Sequence, residues 1–345
     1  MEKISPILIR QIFIISLILL VGSLIFTEML PYLGGVLGAI TLYVLLHKWM
    51  QKMVNTKKWS TSLSAILLLL FSFIVIIIPV VGTLLMLGNK ISGFVDNSEK
   101  VIKAIKGQLE KVEQFVGFDL NSQINTSSIT GWLTKNLESL AGGTFTVFIS
   151  VGVMAFIFYY MLTNSQLMKD SLLKYIPLAE DNMSEIGNEI KSMVRANALG
   201  IPLVALAQGV IALVGFLIFG IKDPFFWFVI VTIGSMVPFI GTLLGILPVF
   251  VTALSSGHNF QAWGILIYGL VVVGSTDNII RLYVLQKLDK VHPLITLIGV
   301  IIGVPLFGFI GLIFGPLLVS LFIILAKIYR KEYGTKTKKS IKKQL

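Results

Sequence analysis

An aspartate and an arginine lie four residues apart in Ser275-Thr276-Asp277-Asn278-Ile279-Ile280-Arg281, directly after an apolar run. A carboxylate at the centre of a bilayer costs about 2.5–3.5 kcal/mol on insertion scales, so it marks a pathway or an ion pair. Asp277 could bind a cation, take a proton or hydrogen-bond a polar solute, with the Asn278 amide beside it. Alternatively, Asp277 and Arg281 form an interfacial pair on one helix face, worth about 0.3 kcal/mol. His292, next to Pro293, has an imidazole of the kind that titrates near neutral pH, though at a span end it also reads as an interfacial residue. Gln208 is an uncharged amide inside the apolar run Ile201–Ile221, where it either lines a path or joins helices by hydrogen bonding. No metal site is expected, because the three His residues are scattered at 47, 258 and 292 and there is no Cys. The lack of Cys also excludes disulfides, thiolate metal sites and Cys nucleophiles.

Two apolar tracts carry a second kind of chemistry, that of exposed backbone. Phe225–Leu254 and Pro293–Ala326 are each too long for one ordinary span, and each is interrupted in its middle. The interruptions match: Val237-Pro238-Phe239-Ile240-Gly241, followed by Thr242, and Val304-Pro305-Leu306-Phe307-Gly308. Each is followed by a further Gly and Pro, at Gly245 and Pro248 and at Gly311 and Pro316. Proline removes a backbone donor and disfavours helix in the residue before it, whereas glycine permits left-handed backbone. Freed backbone groups are tolerated in a membrane only when buried in protein or lining a cavity. Matched broken segments in two related parts of a chain are a sequence pointer to a transporter binding site. The tracts therefore read as two helical hairpins, re-entrant or spanning, with tips at the Pro–Gly breaks. Gly241/Gly245 and Gly299/Gly303 also fit close-packing G-x-x-x-G pairs, a purely structural role.

The elements that must hold these breaks are membrane helices. The chain has 345 residues, of which 55% are hydrophobic and 13% charged, about half the charge of a soluble domain. Its mean hydropathy is +0.90. The expected fold is all-α and polytopic, with a small external helical segment. Residues 1–87 hold helices one to three (about Ile7–Phe26, Tyr32–Leu46 and Leu63–Leu87). Residues 88–141 form an external segment and 142–162 helix four. Residues 163–198 form an inner amphipathic segment, 199–326 a transport core with its hairpins at 225–254 and 293–326, and 327–345 a basic tail. The first apolar block reads as a retained span, since no small-residue cleavage pattern follows it.

Lys48, Lys52, Lys57 and Lys58 place the turn after the second span in the cytoplasm, together with the N-terminus and the tail, which carries eight Lys or Arg from Lys327 onward. The net charge of +11 is thus a membrane-anchoring signal facing anionic lipid, and no nucleic-acid partner is expected. Outside, Ile102, Ile105, Leu109, Val112 and Val116 repeat at helical spacing, and Ser127–Leu140 is a second candidate helix. They read as a cap on the membrane part or as a coiled-coil-like contact between subunits. Inside, Met183, Ile186, Ile190 and Met193 form one stripe of an interfacial helix.

Enzyme motifs are absent: there is no P-loop, no H-E-x-x-H and no G-x-S-x-G. No polar segment is large enough for a nucleotide domain, so no cofactor is expected and any transport is secondary or facilitated. At several motifs the chain resembles the autoinducer-2 exporter family of bacterial membrane proteins. These are Gly200-Ile201-Pro202-Leu203 through Gln208-Gly209, Val237-Pro238-Phe239-Ile240-Gly241 with Leu247-Pro248, and Asp277-Asn278. The set continues with His292-Pro293-Leu294 and Phe307-Gly308-Phe309-Ile310-Gly311-Leu312 with Gly315-Pro316. Arg281 departs from the pattern, since relatives often run on towards a proline there.

The resemblance implies a multi-pass permease of a bacterial cytoplasmic membrane, with about eight helices and two hairpins near the substrate path. It also implies assembly into homo-oligomers, a pentamer among them. Named members export autoinducer-2, a quorum-sensing signal, and others resemble Na⁺(Li⁺)/H⁺ antiporters. Three function classes follow: an exporter of a small polar solute, a cation/proton antiporter using Asp277, and a non-transporting scaffold acting through its external helices. The expected path residues are Gln208, Pro238, Phe239, Ile240, Gly241, Thr242, Pro248, Asp277, Asn278, Arg281, Pro305, Phe307, Gly308, Gly311 and Pro316.

Overall fold

The computed structural model describes residues 6–96, 144–175, 180–237, 241–276, 279–280 and 293–333. Every described element is helical. The external helices expected over 102–116 and 127–140, His292 and the tail beyond 333 lie outside the described residues. Among the described residues, four helical segments are long and apolar enough to cross a membrane, or five if α4 and α5, bent by 91°, count as one span.

Helix α1 (Pro6–Met29) is largely apolar, with Arg10, Gln11 and Glu28 near its ends, and exposed at every residue whose burial is described. A 3₁₀ turn at Leu30–Tyr32 leads into α2 (Leu33–Gln51). Helix α2 ends in a π-turn, Lys52–Thr56, closed by Lys57 N–H donating to the Lys52 carbonyl at 3.2 Å. Helix α3 is Thr61–Asp96 and α4 is Thr144–Thr163. Small residues let α2 and α4 approach closely: Gly35 lies against the Ser150 backbone and Gly38 against the Met154 side chain. Ala39, Leu46, Ala65, Leu68, Phe158 and Leu162 form the core shared by α2, α3 and α4.

Helix α5 (Ser165–Tyr175) leads to α6, a single helix from Glu180 to Ile218. The amphipathic stripe and the apolar run that follows it are therefore two halves of one 39-residue rod. The change in composition near Ala198 marks a change of surroundings and not a helix end, because the backbone ladder runs on through it. Pro202 lies inside the helix with its ring exposed, where losing one backbone donor does not leave a buried partner.

Helices α7 (Pro224–Gly234) and α8 (Gly241–Ser255) occupy the first long tract, and α10 (Pro293–Phe307) and α11 (Gly311–Tyr333) the second. Between them runs α9 (Asn259–Tyr268), extended to Thr276 through a π-turn at Gly269–Val273. Each tract doubles back on itself. Gly303 lies beside the Gly311 carbonyl and Gly299 beside Pro316. In one straight helix Gly299 and Pro316 would be about 25 Å apart. In the first tract Gly234 meets Gly241, and Gly245 meets Val231.

Helix α6 is the element both pairs share. Its C-terminal half (Ala212, Phe216) packs with Phe226, Val231, Ile246, Ile265 and Val273 of α7, α8, α9 and the π-turn. Tyr268 donates its hydroxyl hydrogen to the Ile211 carbonyl at 3.0 Å, and its ring covers Gly215. The N-terminal half (Met193, Val194) packs with Phe314 and Leu317 of α11 and with Leu37, Ile40 and Val44 of α2.

Candidate functional site

The two breaks differ in how the backbone turns. In the first, α7 unwinds through a tightening series of bonds: Ser235 N–H to Val231 at 2.8 Å, Met236 N–H to Ile233 at 3.2 Å and Val237 N–H to Gly234 at 2.9 Å. The chain re-enters helix at Gly241, whose N–H reaches the Val237 carbonyl at 3.0 Å. A side chain at Gly241 would overlap the Gly234 backbone, so only glycine allows this approach. In the second, Pro305 stays within α10, and the turn is made by Gly308 at φ +63°, heading the short 3₁₀ segment Gly308–Ile310. That left-handed position explains the glycine: nothing lies within 4 Å of where its Cβ would be.

The first break abuts the flank of the second pair. Met236 and Val237 pack against the cluster of Ile201, Val300 and Leu312, joined by Val304. Val304 is one turn before Gly308. Eight residues along α6 from Ile201, Gly209 sits against Thr232 and Phe228 of α7. Between these two points of contact, on the buried face of α6, lies Gln208, which is 1% exposed. Neither its Oε1 nor its Nε2 has a hydrogen-bond partner among the described residues. Ser235, bracketed in sequence by Thr232 and Met236, is 2% exposed and its Oγ is likewise unpartnered. Leaving a buried polar group unpaired costs about 1–3 kcal/mol, so each such group calls for an explanation. Two of them on facing elements beside a helix break make a place where a polar guest would be solvated by protein.

The remaining expected residues divide by position. Thr242 is buried in the first turn of α8, next to Gly241. Pro248 lies inside α8, and its carbonyl accepts from Thr252 Oγ1 at 2.5 Å. Gly311 and Pro316 are buried where α10 meets α11, against Gly303 and Gly299. Pro305 and Gly308 are exposed, and Phe307 packs with Ile310, Phe314 and α2 residues Leu37 and Ile40, away from the first break. Pro238, Phe239, Ile240, Asp277, Asn278 and Arg281 lie outside the described residues; Asp277 follows Thr276, the last residue of the extended α9.

Three groups escaped the reading of the sequence. Ser235 has no local signature beyond being a hydroxyl two residues before Val237-Pro238. Asn197 donates to the Ile313 carbonyl at 3.0 Å, and Ser320 Oγ donates to Glu189 Oε1 at 2.7 Å; together they tie α11 to the first half of α6. Among the described residues no cluster of His, Asp and Glu could hold a metal ion.

The AI-2E family transporter profile matches residues 13–331 of the chain. A Mycobacterium tuberculosis (strain H37Rv) protein named "Putative transport protein Rv1101c" is 25% identical, over 94% of this chain and 83% of its own length. A "Putative transport protein" of Helicobacter pylori (strain J99) is 26% identical over 84% of this chain and 87% of its own length. "Putative transport protein YdiK" of Escherichia coli (strain K12) is 31% identical, over 37% of this chain and 34% of its own length. No solved structure gives a significant match. The chain belongs to the AI-2E family, a family of membrane transporters and not of enzymes.

Proposed function

We propose that this member of the AI-2E transporter family is a secondary exporter of a small polar solute across a bacterial cytoplasmic membrane, and that the solute passes between the two helix breaks. The observation that carries the reading is Gln208, a carboxamide buried without a partner beside the first break and within two turns of the second pair. Autoinducer-2, a small polyhydroxylated ring compound, is a fitting solute chemistry for an amide and a hydroxyl. The half-length helices support re-entrant hairpins: α7 at 11 residues and α10 at 15 span about 16 and 22 Å, less than a hydrocarbon core of about 30 Å.

The orientation follows from charge. The Tyr43 hydroxyl of α2 hydrogen-bonds Ser165 of α5, and Ser320 of α11 meets Glu189 of α6. Lys48 and Lys52 lie at the end of α2, Lys169 on α5, Lys191 on the first half of α6 and Lys327 and Arg330 in the last turns of α11, and basic residues favour the cytoplasmic side. Both termini are then inside. Reporter fusions at Gln123 and at the C-terminus should fall on opposite sides; finding both on one side would overturn the orientation.

The test of function is uptake into reconstituted vesicles, with autoinducer-2 and other small polar solutes, under imposed Na⁺ and H⁺ gradients. Gln208→Leu should lower transport at least tenfold while the protein still reaches the membrane. Undiminished transport in that variant would remove Gln208 from the path. The antiporter alternative is distinguished in the same assay by Asp277→Asn: loss of ion dependence would assign coupling to that carboxylate.

A further inference from the structure

The segment that joins α2 to α3 is basic with no acid to balance it. Lys48, Lys52, Lys57 and Lys58 fall within eleven residues, and no Asp or Glu occurs from 29 to 95. All four lysines are exposed, and none has an ion-pair partner among the described residues. Lys48 and Lys52 stand four apart, with Lys52 N–H donating to the Lys48 carbonyl. Like charges at that spacing share a helix face and repel. The chain then folds back at once: Lys57 N–H closes on the Lys52 carbonyl at 3.2 Å, and Trp59 N–H on the Met53 carbonyl at 3.1 Å. Four lysines are thereby gathered at one turn.

Lys58 is left-handed, at φ +59°. Glycine adopts that conformation freely and a residue with a Cβ does not, so the position favours glycine yet carries a charge. Two tryptophans flank the turn. Trp59 lies under the Lys57 ammonium, with Nζ 5.5 Å from the ring centroid, and Trp49 packs on Phe71 of α3 at 5.7 Å between centroids. Their rings are 39% and 55% exposed, as in the aromatic belt at a membrane–water boundary. Beyond the turn, Leu63, Leu67, Leu70 and Ile74 repeat at 4-3-4 spacing along α3, all exposed. That strip is about 16 Å long, close to one leaflet's half of a hydrocarbon core of about 30 Å.

We propose that this turn and strip hold one anionic phospholipid. Its phosphodiester sits among Lys48, Lys52, Lys57 and Lys58, and an acyl chain runs along Leu63, Leu67, Leu70 and Ile74. Clusters of basic residues beside a membrane helix recognise anionic headgroups. A zwitterionic lipid would bring its own cation to a turn that offers no acid. Free phosphate would match the lysines but leave the apolar strip unused, and so would an acidic peptide. The attraction of an anionic leaflet acts on every basic residue of the chain, whereas here the left-handed backbone and the two closing bonds fix the charges at the head of a chain-length strip. The proposal does not depend on the solute path. Only the leaflet that supplies the lipid rests on the orientation proposed above.

The experiment titrates the purified full-length protein, in uncharged detergent, with dioctanoyl phosphatidylglycerol, dioctanoyl phosphatidylcholine and glycerol phosphate, read by thermophoresis. Phosphatidylglycerol should bind at least tenfold more tightly than either other probe, with the preference fading in high salt. Lys48→Gln combined with Lys52→Gln should weaken it at least tenfold. Lys58→Gly removes a charge and relieves the backbone, so it should weaken lipid binding severalfold while the lipid-free melting temperature holds or rises. Lys327→Gln with Arg330→Gln, at the end of α11, should leave binding unchanged. Equal affinity for the two lipids would overturn the proposal, as would tight binding of glycerol phosphate or full binding in the Lys48/Lys52 variant. An equal loss in the Lys327/Arg330 variant would mean a diffuse field, and a doubled mass with no lipid taken up would mean that a second copy covers the strip; either result overturns it too. Gln208→Leu should bind phosphatidylglycerol as the unchanged protein does, so normal transport in that variant would overturn the path reading and leave this one standing.

Discussion

The α7–α8 pair and the α10–α11 pair carry the same five-residue pattern, Val-Pro-apolar-apolar-Gly, yet the backbone breaks in different places. In the first pair α7 ends at Gly234 and helix resumes at the pattern's glycine, Gly241. In the second, helix continues through Pro305 to Phe307, and the glycine alone makes the turn. A proline forbids one donor and crowds the preceding turn, but near the end of a helix those penalties fall on groups that are leaving the ladder anyway. Left-handed backbone has no such tolerance. The glycine is therefore the decisive residue of the pattern. Its reason differs too: close approach of two backbones at Gly241, and dihedral freedom at Gly308.

The sharpest way to break this comparison is to add one methyl group on each side. Gly241→Ala places a Cβ into the Gly234 backbone, which no side-chain motion relieves. It should cut both the yield of folded protein and its transport at least tenfold, read by size-exclusion chromatography and vesicle assay. Gly308→Ala meets no atom and suffers only the left-handed penalty, about 1–2 kcal/mol. It should fold at normal yield with a lowered melting temperature, and Gly308→Asn should recover part of the loss. Equal damage at both positions would mean that the breaks are equivalent after all.

Polarity separates the pairs as well. The first break has Gln208 and Ser235 beside it, buried and unpartnered, whereas the buried polar residues that tie down the second pair, Asn197 and Ser320, are satisfied. Gln208→Leu should therefore raise thermal stability, by up to about 1–3 kcal/mol, while transport falls. A drop in both would mark Gln208 as a structural residue. Asn197→Leu leaves the Ile313 carbonyl without its side-chain partner and should cost about 1 kcal/mol of stability with a smaller change in transport. Ser320→Ala removes a half-buried contact to Glu189 and should have the smallest effect, at most about 1 kcal/mol.

The sequence and the structure agree most where hydrophobic runs and family motifs carry the information. Blocks of Leu, Ile, Val and Phe announce helices in lipid, and the set of motifs from Gly200 to Pro316 was enough to indicate the family. Gln208 was visible because one amide stands out in an apolar run. Ser235 was not, because a serine in a membrane helix usually bonds its own backbone, as Ser72 does with the Leu68 carbonyl at 2.7 Å. Pro305 looked like a break because proline's local cost is legible while its position relative to the helix end is not. The continuity of α6 was hidden for a related reason. Glu, Lys, Ser and Asn in 180–197 signal water nearby, but they are compatible with helix, and nothing at Ala198–Leu199–Gly200 forces a stop.

That continuity has a mechanical meaning. At 39 residues α6 is about 58 Å long, nearly twice the hydrocarbon core, with Met193 and Val194 gripping α11 near one end and Gly209 and Phe216 gripping α7 and α9 near the other. A stiff shaft transmits an axial slide or a roll along its whole length without attenuation. Anything that pushes on the Met183–Ile190 end therefore moves Gln208 as well, less whatever bending Pro202 between them takes up, and the two breaks are geared to one drive shaft.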